Sequence, residues 1–127
     1  MRLLLDTRTL LWWLFKLPQL GALAQTHIAS PSSLVHISVV SGYEIRFKQA
    51  LGKLEAPDDL EAQVTSCGFR ELPVVLRHAM TAGDLPTRDR DPFDRILVAQ
   101  ARCEGLTLVT ADRKLAAYDV PILDAAC

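Results

Sequence analysis

Four widely spaced carboxylates, Asp6, Glu44, Asp94 and Asp112, occupy positions that an ordinary surface acid does not need. Asp6 closes the β-type run Leu3-Leu4-Leu5, and Asp112 lies two residues beyond Thr110, where Leu106-Thr107-Leu108-Val109 ends. Either could simply cap a following helix, since an Asp side chain accepts the first free N–H groups there. Glu44 falls on one helical face with Val40, Phe47 and Leu51 at 100° per residue. A carboxylate in an apolar stripe costs free energy unless it is paired or coordinates a cation. Glu44 is therefore half of a buried ion pair, with an arginine as the natural partner, or a ligand. Asp94 shares a face with Leu97, Val98 and Ala101, while Asp91, three residues earlier, fits the helix cap better.

Brought together, four carboxylates repel and raise one another's pKa. A hard divalent cation removes that penalty, and an all-oxygen donor set suits Mg²⁺ or Mn²⁺. The chemistry such a cluster supports is phosphoryl transfer, with the ion polarising the phosphate and lowering the pKa of an attacking water. No His, Lys or Tyr stands out as a general base. The hydroxyls of Thr7 and Thr110 are placed to orient carboxylates or water, or are plain strand-end threonines. Asp84, Asp89 and Asp91 compete as acids. They belong to a polar loop expected to face water, and Asp91 is held as a reserve ligand.

These positions require strands that end at Asp6 and Asp112 and helices that carry Glu44 and Asp94. Periodicity predicts strands at 2–5, 34–38, 69–73, 106–110 and 120–123. Helices are predicted at 7–16, 19–29, 40–51, 57–65, 74–82 and 91–104, with a short one at 113–117. The helix after Asp91 is the best marked, with Pro92 at its first position and Gly105 just past its end. Strands alternating with helices predict an α/β fold, a single three-layer α/β/α domain over 1–127 with a central, mainly parallel sheet. Such sheets bind ligands at the carboxyl ends of their strands.

Composition agrees. The chain has 127 residues, half of them apolar and 23% charged, with a net charge of −1, which suits one globular domain with a real core. The near-zero charge argues against a coat of non-specific nucleic acid, although committing four acids to a cation leaves the remainder net positive. Cys67, Cys103 and Cys127 form no C-x-x-C, and His27, His36 and His78 have no ligand spacing, so neither a disulfide framework nor a zinc site is indicated. Asp6 and Arg8 interrupt the apolar N-terminus, so neither a signal peptide nor a membrane span is expected, and the protein is expected in the cytoplasm.

The segments Leu4-Leu5-Asp6-Thr7, Ser41-Gly42-Tyr43-Glu44-Ile45, Asp91-Pro92-Phe93-Asp94-Arg95 and Val109-Thr110-Ala111-Asp112 stand in the order and spacing of the PIN domain. Together they resemble the VapC-type ribonuclease toxins of prokaryotic toxin–antitoxin pairs over essentially the whole chain. The resemblance puts the family's four acids on Asp6, Glu44, Asp94 and Asp112. It implies a parallel sheet between helices, Mg²⁺ or Mn²⁺ as cofactor, and single-stranded or looped RNA as substrate. It also implies a small VapB-like antitoxin and a homodimer. Arg8 and Arg113, beside two of the acids, become the candidates for contact with the RNA backbone. Trp12 and Trp13 could stack on bases, but adjacent helix positions point apart, and packing is the better reading for both. There are departures: Arg8 stands where close relatives often carry His or Asn, Tyr43 where Trp is frequent, and Gly42 is a poor helix residue. A phosphatase with paired aspartates after its first strand is disfavoured, because Arg8 occupies the second position. A non-catalytic PIN-like binding module and a housekeeping RNA-processing nuclease remain as alternatives.

Overall fold

The computed structural model describes residues 1–87 and 90–127. Arg88 and Asp89, the latter one of the competing loop acids, lie outside the described residues. The chain opens with β1 (Arg2–Leu5), α1 (Thr7–Leu14) and α2 (Ala22–Ala29), followed by β2 (Leu34–Ser38) and α3 (Val39–Ala50). Then come α4 (Leu60–Ser66), β3 (Arg70–Leu72), α5 (Leu76–Asp84) and α6 (Pro92–Glu104), and finally β4 (Thr107–Thr110), a 3-10 turn (Leu115–Ala117) and β5 (Ile122–Asp124). The second helix begins three residues later than its periodicity suggests, because Gly21 in extended conformation caps it.

All four strand pairings are parallel, in the order β3-β2-β1-β4-β5. β1 is therefore central, and the direction of winding reverses between β1 and β4. In open parallel sheets the crevice beyond such a reversal is where ligands bind. Alternation along β1 separates two cores: Leu3 and Leu5 pack with α1, α2, α3 and α4, and Leu4 packs with α6 on the opposite face. Burial on both faces explains why these strands read as continuous apolar runs rather than alternating ones. The α6 end matches its sequence signals, with Asp91 capping the backbone N–H groups of Phe93 and Asp94 and Gly105 left-handed at φ 66°.

The helix α3 touches both α1 and α6 and so lies across the edge between the layers. Its buried residues are Ser41, Glu44 and Ile45. The stripe expected from sequence is corrected here: Phe47 and Leu51 are exposed and Val40 only half-buried, while Ile45 is fully buried. Two polar side chains take inward positions on this helix because they look into a polar site, so hydrophobic periodicity points the wrong way.

Candidate active site

Asp6 follows β1 directly and is the N-cap of α1, its Oδ1 accepting the backbone N–H of Thr9 at 2.8 Å. Its Oδ2 accepts the hydroxyl of Thr110, the last residue of β4, at 2.6 Å. The capping role and the site role thus coincide in one side chain. Burial pushes the Asp6 carboxyl above the usual carboxylate range, opposed by the hydrogen bonds from Thr110 and Thr9 and by the Arg8 charge. Thr9 is itself fixed by donating its hydroxyl to Val109 O on β4 at 3.2 Å.

Glu44 is buried and bonded at both oxygens. Thr7 donates its hydroxyl to Oε1 at 2.6 Å, and Lys48, one turn further along α3, forms an ion pair with Oε2. Ser41 Oγ lies 3.0 Å from Thr7 Oγ1 and continues the network. The buried ion pair considered for Glu44 is therefore present, with a lysine rather than an arginine. The bond to Glu44 holds the Lys48 ammonium above its ordinary range, and Asp91 and Asp94 add to the pull. Asp94, half-buried, projects from the first turn of α6, with Leu97, Val98 and Ala101 buried behind it as the spacing predicts. Asp112 is half-buried after β4; its N–H donates to Thr110 Oγ1 at 3.1 Å and its Oδ1 accepts the N–H of Lys114 at 2.9 Å.

All four acids line one open cavity of about 730 Å³ at the carboxyl ends of β1 and β4, together with Asp91. Thr7, Arg8, Lys48 and Lys114 also line it, and so do the apolar side chains of Trp12, Phe15, Leu17 and Leu54. Arg113 is exposed and does not line it; the turn closed on Asp112 Oδ1 brings Lys114 there instead. Trp13 does not line it either and packs against Phe69 at 6.0 Å between ring centroids, within the core. Asp84 is exposed as expected but ends α5 rather than lying in a loop, and Asp91, expected to face water, is half-buried because it caps α6 at the cavity.

Among the described residues, no three His, Cys, Asp or Glu side chains converge as a ready metal site. The donor chemistry still fits a hard cation, with carboxylates from four segments, two of them held in place by threonine hydroxyls. No histidine lines the cavity: His78 accepts from Val75 N at Nδ1 and meets Glu104 at Nε2, and His36 sits against Leu3 O. The sequence marks Lys48 only as one of several basic residues near the acids and gives Ser41 no role. The i, i+4 spacing of Glu44 and Lys48 was the available signal for the first.

A model of the PIN domain matches residues 3–121. No curated protein matches the chain. Among solved structures, it is similar to VapBC2 from Rickettsia felis bound to a DNA fragment from their promoter, with TM-score 0.68, 16% identity, and 97% of this chain and 98% of that one covered. It is similar as well to a toxin–antitoxin complex from Klebsiella pneumoniae, with TM-score 0.65, 20% identity and 96% of each chain covered. A third is FitAcB from Neisseria gonorrhoeae, with TM-score 0.57, 18% identity and 97% of each chain covered. Among the described residues, no helix is long and apolar enough to cross a membrane. With the family model spanning nearly the whole sheet and every segment that carries an acid of the cavity, the chain belongs to the PIN domain family.

Proposed function

We propose that the chain is a Mg²⁺- or Mn²⁺-dependent endoribonuclease, the toxin of a VapBC-type toxin–antitoxin pair. The observation that carries this reading is one cavity lined by Asp6, Glu44, Asp94 and Asp112 in a chain of the PIN family. These four would hold the ion, with Asp91 in reserve. A bound ion would supply Lewis acidity at the scissile phosphate and a more acidic attacking water. The chain's own groups do the positioning. Thr110 and the Thr9 N–H fix both oxygens of Asp6, and Thr7 fixes one oxygen of Glu44. Arg8 and Lys114 on the cavity wall offer positive charge to RNA phosphates. Arg113, exposed beside the site, serves the backbone further out.

The toxin–antitoxin complexes among structures of similar fold support a small VapB-like protein partner. The mixed lining suits one: an arginine can pair bidentately with the carboxylates, while apolar residues on the same segment meet Trp12, Phe15, Leu17 and Leu54. A homodimer and a cytoplasmic RNA target complete the reading. A second reading, a non-catalytic binding module, draws on the hold of Lys48 on Glu44. Incubating the purified chain with total RNA in Mg²⁺, Mn²⁺ or EDTA and mapping the ends decides between them. Cleavage that needs a divalent ion supports the nuclease; none in any condition favours the binding module. Cleavage by a chain harmless to growth favours the housekeeping nuclease.

A further inference from the structure

Glu44 carries two bonds of different kinds. The Thr7 hydroxyl is neutral and holds Oε1 whatever else enters the cavity, whereas the Lys48 ammonium neutralises the charge at Oε2. The Glu44 side chain is 7% exposed and that of Lys48 34%, so the carboxylate cannot rely on water while the ammonium can reach it. An unpaired buried carboxylate is costly, and a lysine stem is flexible enough to supply a charge and withdraw it. The Lys48 nitrogen also stands 5.8 Å from the centre of the Phe93 ring, on the turn that carries Asp94. The Lys48 ammonium therefore sits on Glu44 in the cavity that Asp91 and Asp94 also line, where a divalent ion would find its negative charge.

We infer that Lys48 is a built-in competitor for the divalent cation: it neutralises Glu44 by an ion pair that the cation must replace, and so sets the cation concentration at which the site fills. This rests on the proposed metal-dependent reading. It assigns Lys48 a positioning role, exercised through Glu44. Because linkage is reciprocal, removing the ammonium tightens cation binding by the amount the ion pair opposed it. The flanking lysine of the same cavity, Lys114, gives Glu44 no such bond and separates this effect from a general change of field.

The test is Mn²⁺ binding to the full chain without RNA, followed by the electron-spin signal of free Mn²⁺ and by thermal unfolding with and without the ion. Lys48→Met should bind Mn²⁺ up to about fivefold more tightly than the wild type, the upper end of the range expected of a partly exposed ion pair. Its unfolding temperature should fall in EDTA and recover more with Mn²⁺ than that of the wild type. Lys48→Arg should stay near the wild type. If Lys48→Met does not fold, Lys48→Gln, which keeps a neutral donor, carries the same expectation. Unchanged or weaker affinity in Lys48→Met, or an equal gain in Lys114→Met, overturns the competition and leaves the nuclease reading standing. Absence of Mn²⁺ binding in wild type and variants alike overturns the metal reading and this inference with it.

Discussion

Thr110 and Asp6 are joined by a 2.6 Å hydrogen bond across the two central strand ends, so the last residue of β4 holds the first acid after β1. That bond, and the Thr9 N–H on the other oxygen, keep a buried carboxylate aimed at a cavity that burial alone would rather see protonated.

Asp6→Asn is expected to stabilise the protein at neutral pH. The folded pKa of Asp6 lies above the unfolded value of 3.8, so its contribution is full below that value and is lost as pH rises through the folded pKa. Asn caps helices as well as Asp does: its Oδ1 can accept the Thr9 N–H, while its Nδ2 donates to Thr110 Oγ1, whose hydroxyl turns from donor to acceptor. Thermal unfolding in EDTA from acid to neutral pH should show the variant more stable at neutrality and equal to the wild type in acid. Equal stability at neutral pH would contradict the burial argument.

Thr7→Val leaves Oε1 of Glu44 without its donor. A buried acceptor left so costs roughly 1–3 kcal/mol, measurable by urea unfolding. RNA cleavage should fall roughly 10- to 100-fold, the usual effect of losing a group that orients a ligand. Thr7→Ser should keep both stability and cleavage to within a small factor.

Asp94→Asn should abolish cleavage while leaving circular dichroism and unfolding close to those of the wild type. The wild-type products should carry 5′-phosphate and 3′-hydroxyl ends and vanish in EDTA. Ends carrying 2′,3′-cyclic phosphate would point to attack by the ribose hydroxyl instead.

Sedimentation at micromolar concentration should give a dimer. Tyr43 and Phe47 on α3 are 63% and 45% exposed and stack with each other at 5.9 Å, with Phe93 beside them. Exposed aromatic patches of this kind mark interfaces. Phe47→Glu should shift the protein to monomer without unfolding it, since Phe47 is not a core residue.

Much of this was legible in the sequence where a residue's local signal and its place in the site coincide. Asp6 and Asp112 follow strands whose apolar runs are unmistakable, and Asp91, Pro92 and Gly105 frame α6 by ordinary capping chemistry. Asp94 could be placed because Leu97, Val98 and Ala101 behind it are buried in the usual way. The face of α3 was not legible. Glu44 is buried facing a polar cavity and Ser41 against the Thr7 hydroxyl, while Phe47 and Leu51 stay outside, so the hydrophobic pattern led to a buried acid for the wrong reason. The i, i+4 spacing does mark Lys48 as a neighbour of Glu44, whereas the exchange of Arg113 for Lys114 depends on a turn after β4 that no periodicity resolves.

The central place of β1 also fixes when the carboxylate cavity can assemble. Asp6 leaves the ribosome first, but its partner Thr110 follows 104 residues later, and β4 must insert beside β1 before the two meet. Pairing across so long a separation is slow to form, because the loop must close before the contact repays it. A nascent chain that stops just short of β4 carries Asp6, Glu44 and Asp94 but neither Thr110 nor Asp112, so one of the four acids and the bond that holds Asp6 are missing. The site is therefore not assembled on a growing chain until β4 has been made and has inserted beside β1.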